Sequence, residues 1–181
     1  MEHQGKYPVV SISFKDIRQN DFKSAYSMLY QRIIETYHQH PYLENSSKLT
    51  KYQKRSYEIL MTKKANQAQL EDSLKFLTQC LSSHHGMDPW LLIDGYDTPM
   101  QAGYLGNYDK EIIHFMEGLL GAVLKTNPYL NRAVMTGILR IALYPALNNI
   151  VGYSVLDSSY SEHFGFSKSE VDNILNQAHL S

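Results

Sequence analysis

The first residues of the chain combine a short alternation of apolar and polar positions with a longer helical repeat. From Val10 to Phe14, apolar residues occupy every second position and serines lie between them, which predicts a β-strand. Apolar residues then recur at three- and four-residue spacing over residues 21–38, which predicts an amphipathic helix. Pro41 is expected to end this helix, because proline lacks the backbone N–H that a helix needs.

Two more helices are predicted before the middle of the chain. Residues 46–64 have helical character and carry six basic residues against one acidic residue. Asn66 and Gln69 have the spacing of a capping box, in which two side chains satisfy the free backbone groups at a helix start. Four leucines at helical spacing follow, and Gly86 is expected to end this third helix.

The middle of the chain predicts a buried strand that ends in an acid. Four apolar residues, 90–93, run without alternation into Asp94. A short continuous apolar run is typical of a strand that is buried on both faces of a sheet. A loop rich in glycine, tyrosine and asparagine is expected next, followed by an amphipathic helix around residues 112–123 that Asn127-Pro128 ends.

Strands and helices therefore alternate along the sequence. Residues 133–137 are predicted to form a third strand, and residues 153–156 a short fourth strand. Ser167 and Glu170 form another capping box, which predicts a terminal helix. Strands that are separated by helices favour an α/β fold with a mainly parallel sheet flanked by helices.

Composition narrows the classes of function. Apolar residues make up 43% of the 181 residues and charged residues 19%, which is typical of a globular protein. The net charge of −1 argues against a protein whose whole surface binds nucleic acid or an anionic membrane. The single cysteine, Cys80, excludes an intrachain disulfide and a zinc site with several cysteines. The sequence has neither a secretory signal nor an apolar stretch of about 20 residues, so a cytoplasmic protein is expected.

Asp94 is the strongest candidate for chemistry. A carboxylate at the carboxyl end of a parallel strand lies where open α/β sheets bind ligands, and it can hold Mg²⁺ against nucleotide phosphates. The alternative is that Asp94 only caps the turn that follows it. The histidine pairs His38/His40 and His84/His85 have no third ligand at a useful spacing, so surface histidines are expected there.

Longer strings of residues resemble a known family. Residues 92–99, LIDGYDTP, resemble the string LIDEYDTP of the bacterial AAA-ATPase-like family, whose ATPase domain is often joined to a restriction-endonuclease-like nuclease domain. Residues 7–16 resemble the family's YPVIxISFKD strand, and residues 136–142 its TGILRIA segment. The resemblance implies an incomplete P-loop-NTPase-like three-layer sandwich. In it, residues 1–181 form a single partial domain without the first strand and the phosphate-binding loop.

The resemblance also implies which residues would meet a nucleotide. It places Asp94, Asp97, Thr136 and Arg140 in the cofactor-binding set, with Asp94 as the ligand of Mg²⁺. The sequence departs from the family at two points. It contains no G-x-x-x-x-G-K-S/T string, and Gly95 stands where the family has a glutamate that activates the attacking water. Because glycine cannot act as a base, no catalytic residue and no cofactor are expected in this chain, although intact members use Mg–ATP.

Three functions are consistent with these observations. The first is a truncated or degenerate AAA-ATPase-like domain that does not hydrolyse ATP by itself. The second is a protein-interaction module, because the missing strand would leave an unpaired sheet edge that favours self-association or a partner supplying the strand and phosphate-binding loop. The third and weakest is nucleic-acid binding through the basic stretch 48–64, in which Tyr52 and Tyr57 could stack on bases.

Overall fold

The computed structural model describes residues 3–139, 151–153, 157 and 165–178, and it divides the chain into two units, Met1–Asn148 and Asn149–Ser181. Except for the last helix, the described elements belong to the first unit. In chain order they are β1 (Val9–Ser13), α1 (Phe22–His38), a 3₁₀ turn (Pro41–Leu43), α2 (Lys51–Met61), α3 (Gln67–Glu71), α4 (Ser73–His85), β2 (Trp90–Asp94), α5 (Thr98–Gly106), α6 (Asp109–Leu124), β3 (Arg132–Thr136) and α7 (Lys168–Gln177).

The three described strands form one parallel sheet in the order β1-β2-β3, so that β2 is central. This confirms the α/β class, and each of the first three predicted strands lies within one residue of its observed position. The register places Ser13, Asp94 and Thr136 side by side at the carboxyl ends of the strands. The sheet therefore brings together three polar residues that are far apart in the sequence.

The two faces of the sheet differ in burial. Leu91 and Ile93 of β2 are buried and share one apolar core with side chains of α1, α4 and α6. On the opposite face Leu92 is 37% exposed, and its cross-strand partners Ser11 and Val134 are exposed as well. For the described residues, the prediction of a strand buried on both faces is therefore wrong. Burial alternates along β2, but the sequence does not show this, because Trp90 and Leu92 at the outward positions are also apolar.

Side-chain caps fix where the first two helices begin. Asp21 accepts a hydrogen bond from the Ser24 N–H at 2.9 Å, which confirms the helix predicted over 21–38. The helix predicted over 46–64 is shorter than expected. Thr50 and Gln53 form a capping box that starts α2 at Lys51, and the residues before it form turns.

The third predicted helix is interrupted. The capping box of Asn66 and Gln69 is present, but α3 ends at Glu71 and α4 begins at Ser73. The hydroxyl of Ser73 donates to the carbonyl oxygen of Leu70 at 2.6 Å, a local bond that competes with the regular helical pattern. Gly86 ends α4 with a φ of 69°, as expected for a glycine after a helix.

A short helix, α5, lies where a loop was predicted. Pro99 lies in its first turn, where the missing proline N–H has no cost, and Asn107 ends the helix in the left-handed conformation. Gly103 allows close packing, because a Cβ there would lie 2.4 Å from the Ile112 side chain of α6. The predicted helix around 112–123 is confirmed as α6.

The second unit contributes one described helix. The capping box of Ser167 and Glu170 is present, so the terminal helix is confirmed as α7. The predicted fourth strand, 153–156, lies almost wholly outside the described residues. Throughout the described ranges, every helix is too short or too polar to cross a bilayer.

Candidate functional site

The carboxyl ends of the three strands bring four polar side chains into contact. Asp94 ends the central strand, and its Oδ1 accepts a hydrogen bond from the Thr136 hydroxyl of β3 at 2.7 Å. Its Oδ2 lies 2.8 Å from the ammonium of Lys15 and 3.3 Å from the Ser13 hydroxyl, both from the β1 side. We call Ser13, Lys15, Asp94 and Thr136 the strand-end cluster. It occupies the edge where parallel sheets bind ligands.

The electrostatics of the cluster favour an ionised Asp94. The hydrogen bond from Lys15 and then that from Thr136 hold the pKa of the Asp94 carboxyl below its usual range. Both partners of the ion pair are exposed, with side-chain exposures of 63% for Lys15 and 42% for Asp94. Water screens such a pair, so it contributes little to stability and mainly sets the geometry of the cluster.

Gly95 follows Asp94 in a backbone conformation that favours glycine. Its φ is 65°, and its N–H donates to the Thr136 carbonyl oxygen at 2.9 Å. A Cβ at this position would lie 2.7 Å from Cγ of Lys15 and 3.2 Å from the Lys15 backbone nitrogen. A side chain at position 95 would therefore be strained and would collide with Lys15.

Asp97 lies close to the cluster in sequence but has different contacts. It is fully buried, and its Oδ2 accepts hydrogen bonds from the N–H groups of Leu139 at 2.7 Å and Ile138 at 3.1 Å, and from the Gln101 amide at 2.6 Å. Its carboxylate thus binds the backbone that follows β3. Of the four residues assigned to a cofactor by resemblance, the structure brings Asp94 and Thr136 into contact, places Asp97 on this neighbouring backbone, and does not describe Arg140.

Ser13 and Lys15 are the members of the cluster that sequence reasoning missed. Both were visible as polar residues at the end of the first predicted strand. A parallel sheet places such residues beside the acid that ends the next strand, but only if the two strands are neighbours. The strand order was the missing information.

An apolar groove of about 390 Å³ lies apart from the strand-end cluster. It is lined by Met100, Gln101, Tyr104, Leu105, Asp109, Ile113 and Leu139. The lining contains one acid and no base, so it does not suit a phosphate group. None of the cluster residues belongs to it.

Three histidines gather around Tyr42 in the first unit. The Tyr42 hydroxyl lies 3.0 Å from Nδ1 of His40 and 3.1 Å from Nε2 of His85, and His84 contacts the Ser46 hydroxyl at 2.8 Å. His40 is 7% exposed, so the expectation of a surface histidine is wrong for it. In the part of the chain that the structure describes, no three metal-binding side chains form a site.

We expect the free energy of unfolding to fall as the pH falls from about 7 to about 5. Burial, and then the charge of a neighbouring histidine, lowers the pKa of His40 and of His85 below the usual value of 6.5. The side chains of Tyr42, Tyr57 and Lys48 bond to this group of histidines, and none of them is a carboxylate that would favour a charged imidazole ring. The unfolded chain therefore binds more protons, and stability is lost as the pH falls through the unfolded pKa towards the folded one.

Urea unfolding at several pH values measures this dependence. The variant His40→Asn retains a hydrogen-bonding group near Tyr42 and is expected to flatten the pH profile. The exposed His38 serves as the matched control, because His38→Asn should leave the profile unchanged. An equally steep profile in His40→Asn would contradict the prediction.

The fold and the cluster together define a class of protein. It is an α/β protein with a parallel sheet and polar side chains at the carboxyl ends of the strands, the edge at which open α/β sheets bind ligands. The family model described as AAA-ATPase_like, Predicted AAA-ATPase, matches residues 1–145. The chain therefore belongs to the AAA-ATPase-like family. Neither the curated proteins nor the solved structures include a significant match to this chain.

Proposed function

We propose that these 181 residues form a degenerate AAA-ATPase-like domain that does not hydrolyse ATP by itself. The observation that carries the proposal is the geometry at Gly95, directly after the acid of the central strand. The position has no side chain that could orient or deprotonate a water molecule. The backbone and stem of Lys15 also fill the space where a side chain would begin.

The residues that would be needed to bind phosphate support the same conclusion. The 181 residues contain no G-x-x-x-x-G-K-S/T string, so they offer no loop of backbone N–H groups with a lysine for the β- and γ-phosphates. The lysine of the strand-end cluster, Lys15, is paired with Asp94. Asp94 and Thr136 keep the positions of a metal ligand and a phosphate-sensing group by family resemblance, without the loop that would bring a nucleotide to them.

Calorimetry and a phosphate-release assay with Mg–ATP test the proposal. We expect no measurable binding and no turnover by the chain. The variant Asp94→Asn is the control, because it removes the candidate metal ligand. Micromolar ATP binding or steady phosphate release that Asp94→Asn abolishes would overturn the proposal.

The outer edge of β3 favours a second candidate function, pairing with another chain. Among the described residues no strand pairs with this edge, and Ala133 and Val134 are exposed. The opposite edge of the sheet is partly covered, because the Gln39 amide donates to the Ser11 carbonyl oxygen of β1 at 3.3 Å. An exposed sheet edge is a ready template for a further strand, and proteins usually cover or blunt such edges.

A proline in β3 tests this second function. The N–H of Asn131 donates to the Pro89 carbonyl oxygen, so the alternation along the strand turns the Val134 N–H away from β2. We expect the wild-type chain to sediment as a dimer or larger, and Val134→Pro to sediment as a monomer because it removes an outer-edge donor. Val134→Thr keeps the donor and should still associate. A wild-type chain that sediments as a monomer would rule out self-pairing.

A further inference from the structure

The ammonium of Lys15 lies where a cation bound to Asp94 would lie. Its Nζ is 2.8 Å from Oδ2 of Asp94, and the Ser13 hydroxyl approaches the same oxygen at 3.3 Å. The other carboxylate oxygen, Oδ1, accepts the Thr136 hydroxyl at 2.7 Å. Both oxygens of Asp94 are therefore engaged by donors from its own sheet.

This arrangement does not fit a divalent cation. Mg²⁺ is held by carboxylate, carbonyl and water oxygens in a nearly octahedral shell, and a carboxylate oxygen that is paired with an ammonium is a poor ligand for it. Here one oxygen is already paired with the ammonium of Lys15, whose positive charge repels a second cation at the same place. Among the described residues, no three metal-binding side chains form a group that would complete such a shell.

Gly95 gives Lys15 the room to reach this position. A Cβ at residue 95 would lie 2.7 Å from Cγ of Lys15, and 3.2 and 3.3 Å from the Lys15 backbone N and Cα. Real Cβ atoms essentially never come within 3.0 Å of another atom, so the lysine stem would have to move, and the two backbone distances are tight as well. The missing side chain at residue 95 and the bound lysine are thus two parts of one arrangement.

We propose that Lys15 is a built-in cation that takes the place of a divalent metal ion at Asp94. It neutralises the carboxylate from within the chain, so that Asp94 binds Mg²⁺ or Mn²⁺ more weakly. This inference rests on the proposed function, because it supplies the physical reason why the acid of the central strand is retained without hydrolysis.

Binding of Mn²⁺ alone, measured by water proton relaxation without any nucleotide, tests the inference. We expect Lys15→Met to bind Mn²⁺ about tenfold more tightly than the wild-type chain, because a repelling charge next to the carboxylate is removed. Lys15 is largely exposed, so the variant should fold. The double variant Lys15→Met/Asp94→Asn should lose the gain, and Lys51→Met, at an exposed lysine of α2, should not produce it.

A second variant, at Gly95, tests the same contact between Lys15 and Asp94. Gly95→Ala should displace the Lys15 stem and also raise the affinity for Mn²⁺, provided that circular dichroism shows a folded chain. Equal Mn²⁺ affinity in the wild-type chain and Lys15→Met would overturn the inference, whatever Gly95→Ala does. A gain that survives Asp94→Asn, or that Lys51→Met reproduces, would overturn it too.

The outcome is separate from that of the ATP experiment. A chain that hydrolyses ATP while Lys15→Met gains Mn²⁺ binding would overturn the proposed function and leave Lys15 as the competing cation. A chain that neither binds nor hydrolyses ATP, and in which Lys15→Met gains nothing, would retain the proposed function and remove this explanation for it.

Discussion

Replacing Asp97 with alanine is expected to lower the free energy of unfolding by about 3 kcal/mol. The Asp97 carboxylate is fully buried and accepts three hydrogen bonds, two from the backbone after β3 and one from Gln101. Alanine removes the acceptor and leaves the donors of Ile138 and Leu139 without it. Chemical denaturation followed by circular dichroism measures the loss.

Two variants make the result specific to the buried hydrogen bonds. Asp97→Asn keeps one oxygen and should cost less than Asp97→Ala. Asp172→Ala, at an exposed position of α7, should change the stability by no more than about 0.5 kcal/mol. If Asp97→Ala were as stable as the wild type, the carboxylate would not hold the segment after β3, and its assignment to a ligand would become the better interpretation.

The elements that could be predicted from sequence are those with local causes. The capping boxes at Asn66 and Ser167 each need only two side chains three residues apart, and both are present. Gly86 ends its helix because glycine alone adopts the left-handed conformation freely. The strand at residues 9–13 shows its alternation directly.

The elements that were missed depend on contacts across the fold. α5 has a proline in its first turn, as many helices do, but its glycines make the sequence look like a loop. The helix is stabilised by close packing against α6. The break at Asp72 follows from the bond between Ser73 and the Leu70 carbonyl oxygen, which the leucine repeat does not reveal. In both cases a local pattern competes with packing or with a side-chain bond.

In the candidate site, too, the features with local causes could be predicted and those that depend on contacts between strands could not. The position of Asp94 at the end of a strand could be predicted, because an acid directly follows the apolar run of residues 90–93. The contact with Thr136 followed only from the family resemblance, and Lys15 was not assigned to the site at all. Both contacts depend on strand order and register, which place the ends of β1 and β3 beside β2.

Leu91 and Leu92 are neighbours of the same residue type on opposite faces of β2, and we expect very different costs when each is replaced by alanine. Leu91 is fully buried in the core, so Leu91→Ala should lower the free energy of unfolding by about 3 kcal/mol through lost burial and the cavity left behind. Leu92 is 37% exposed on the other face, so Leu92→Ala should cost about 1 kcal/mol or less.

Denaturation of the two variants under identical conditions measures this difference, and each variant is the matched control of the other. The strand, the substitution and the change in β-propensity are the same, so only the face of the sheet differs. A large cost at Leu91 alone supports a sheet whose second face is open. Equal, large costs at both positions would contradict it, because Leu92 would then be buried in the folded protein as the uninterrupted apolar run of β2 predicts.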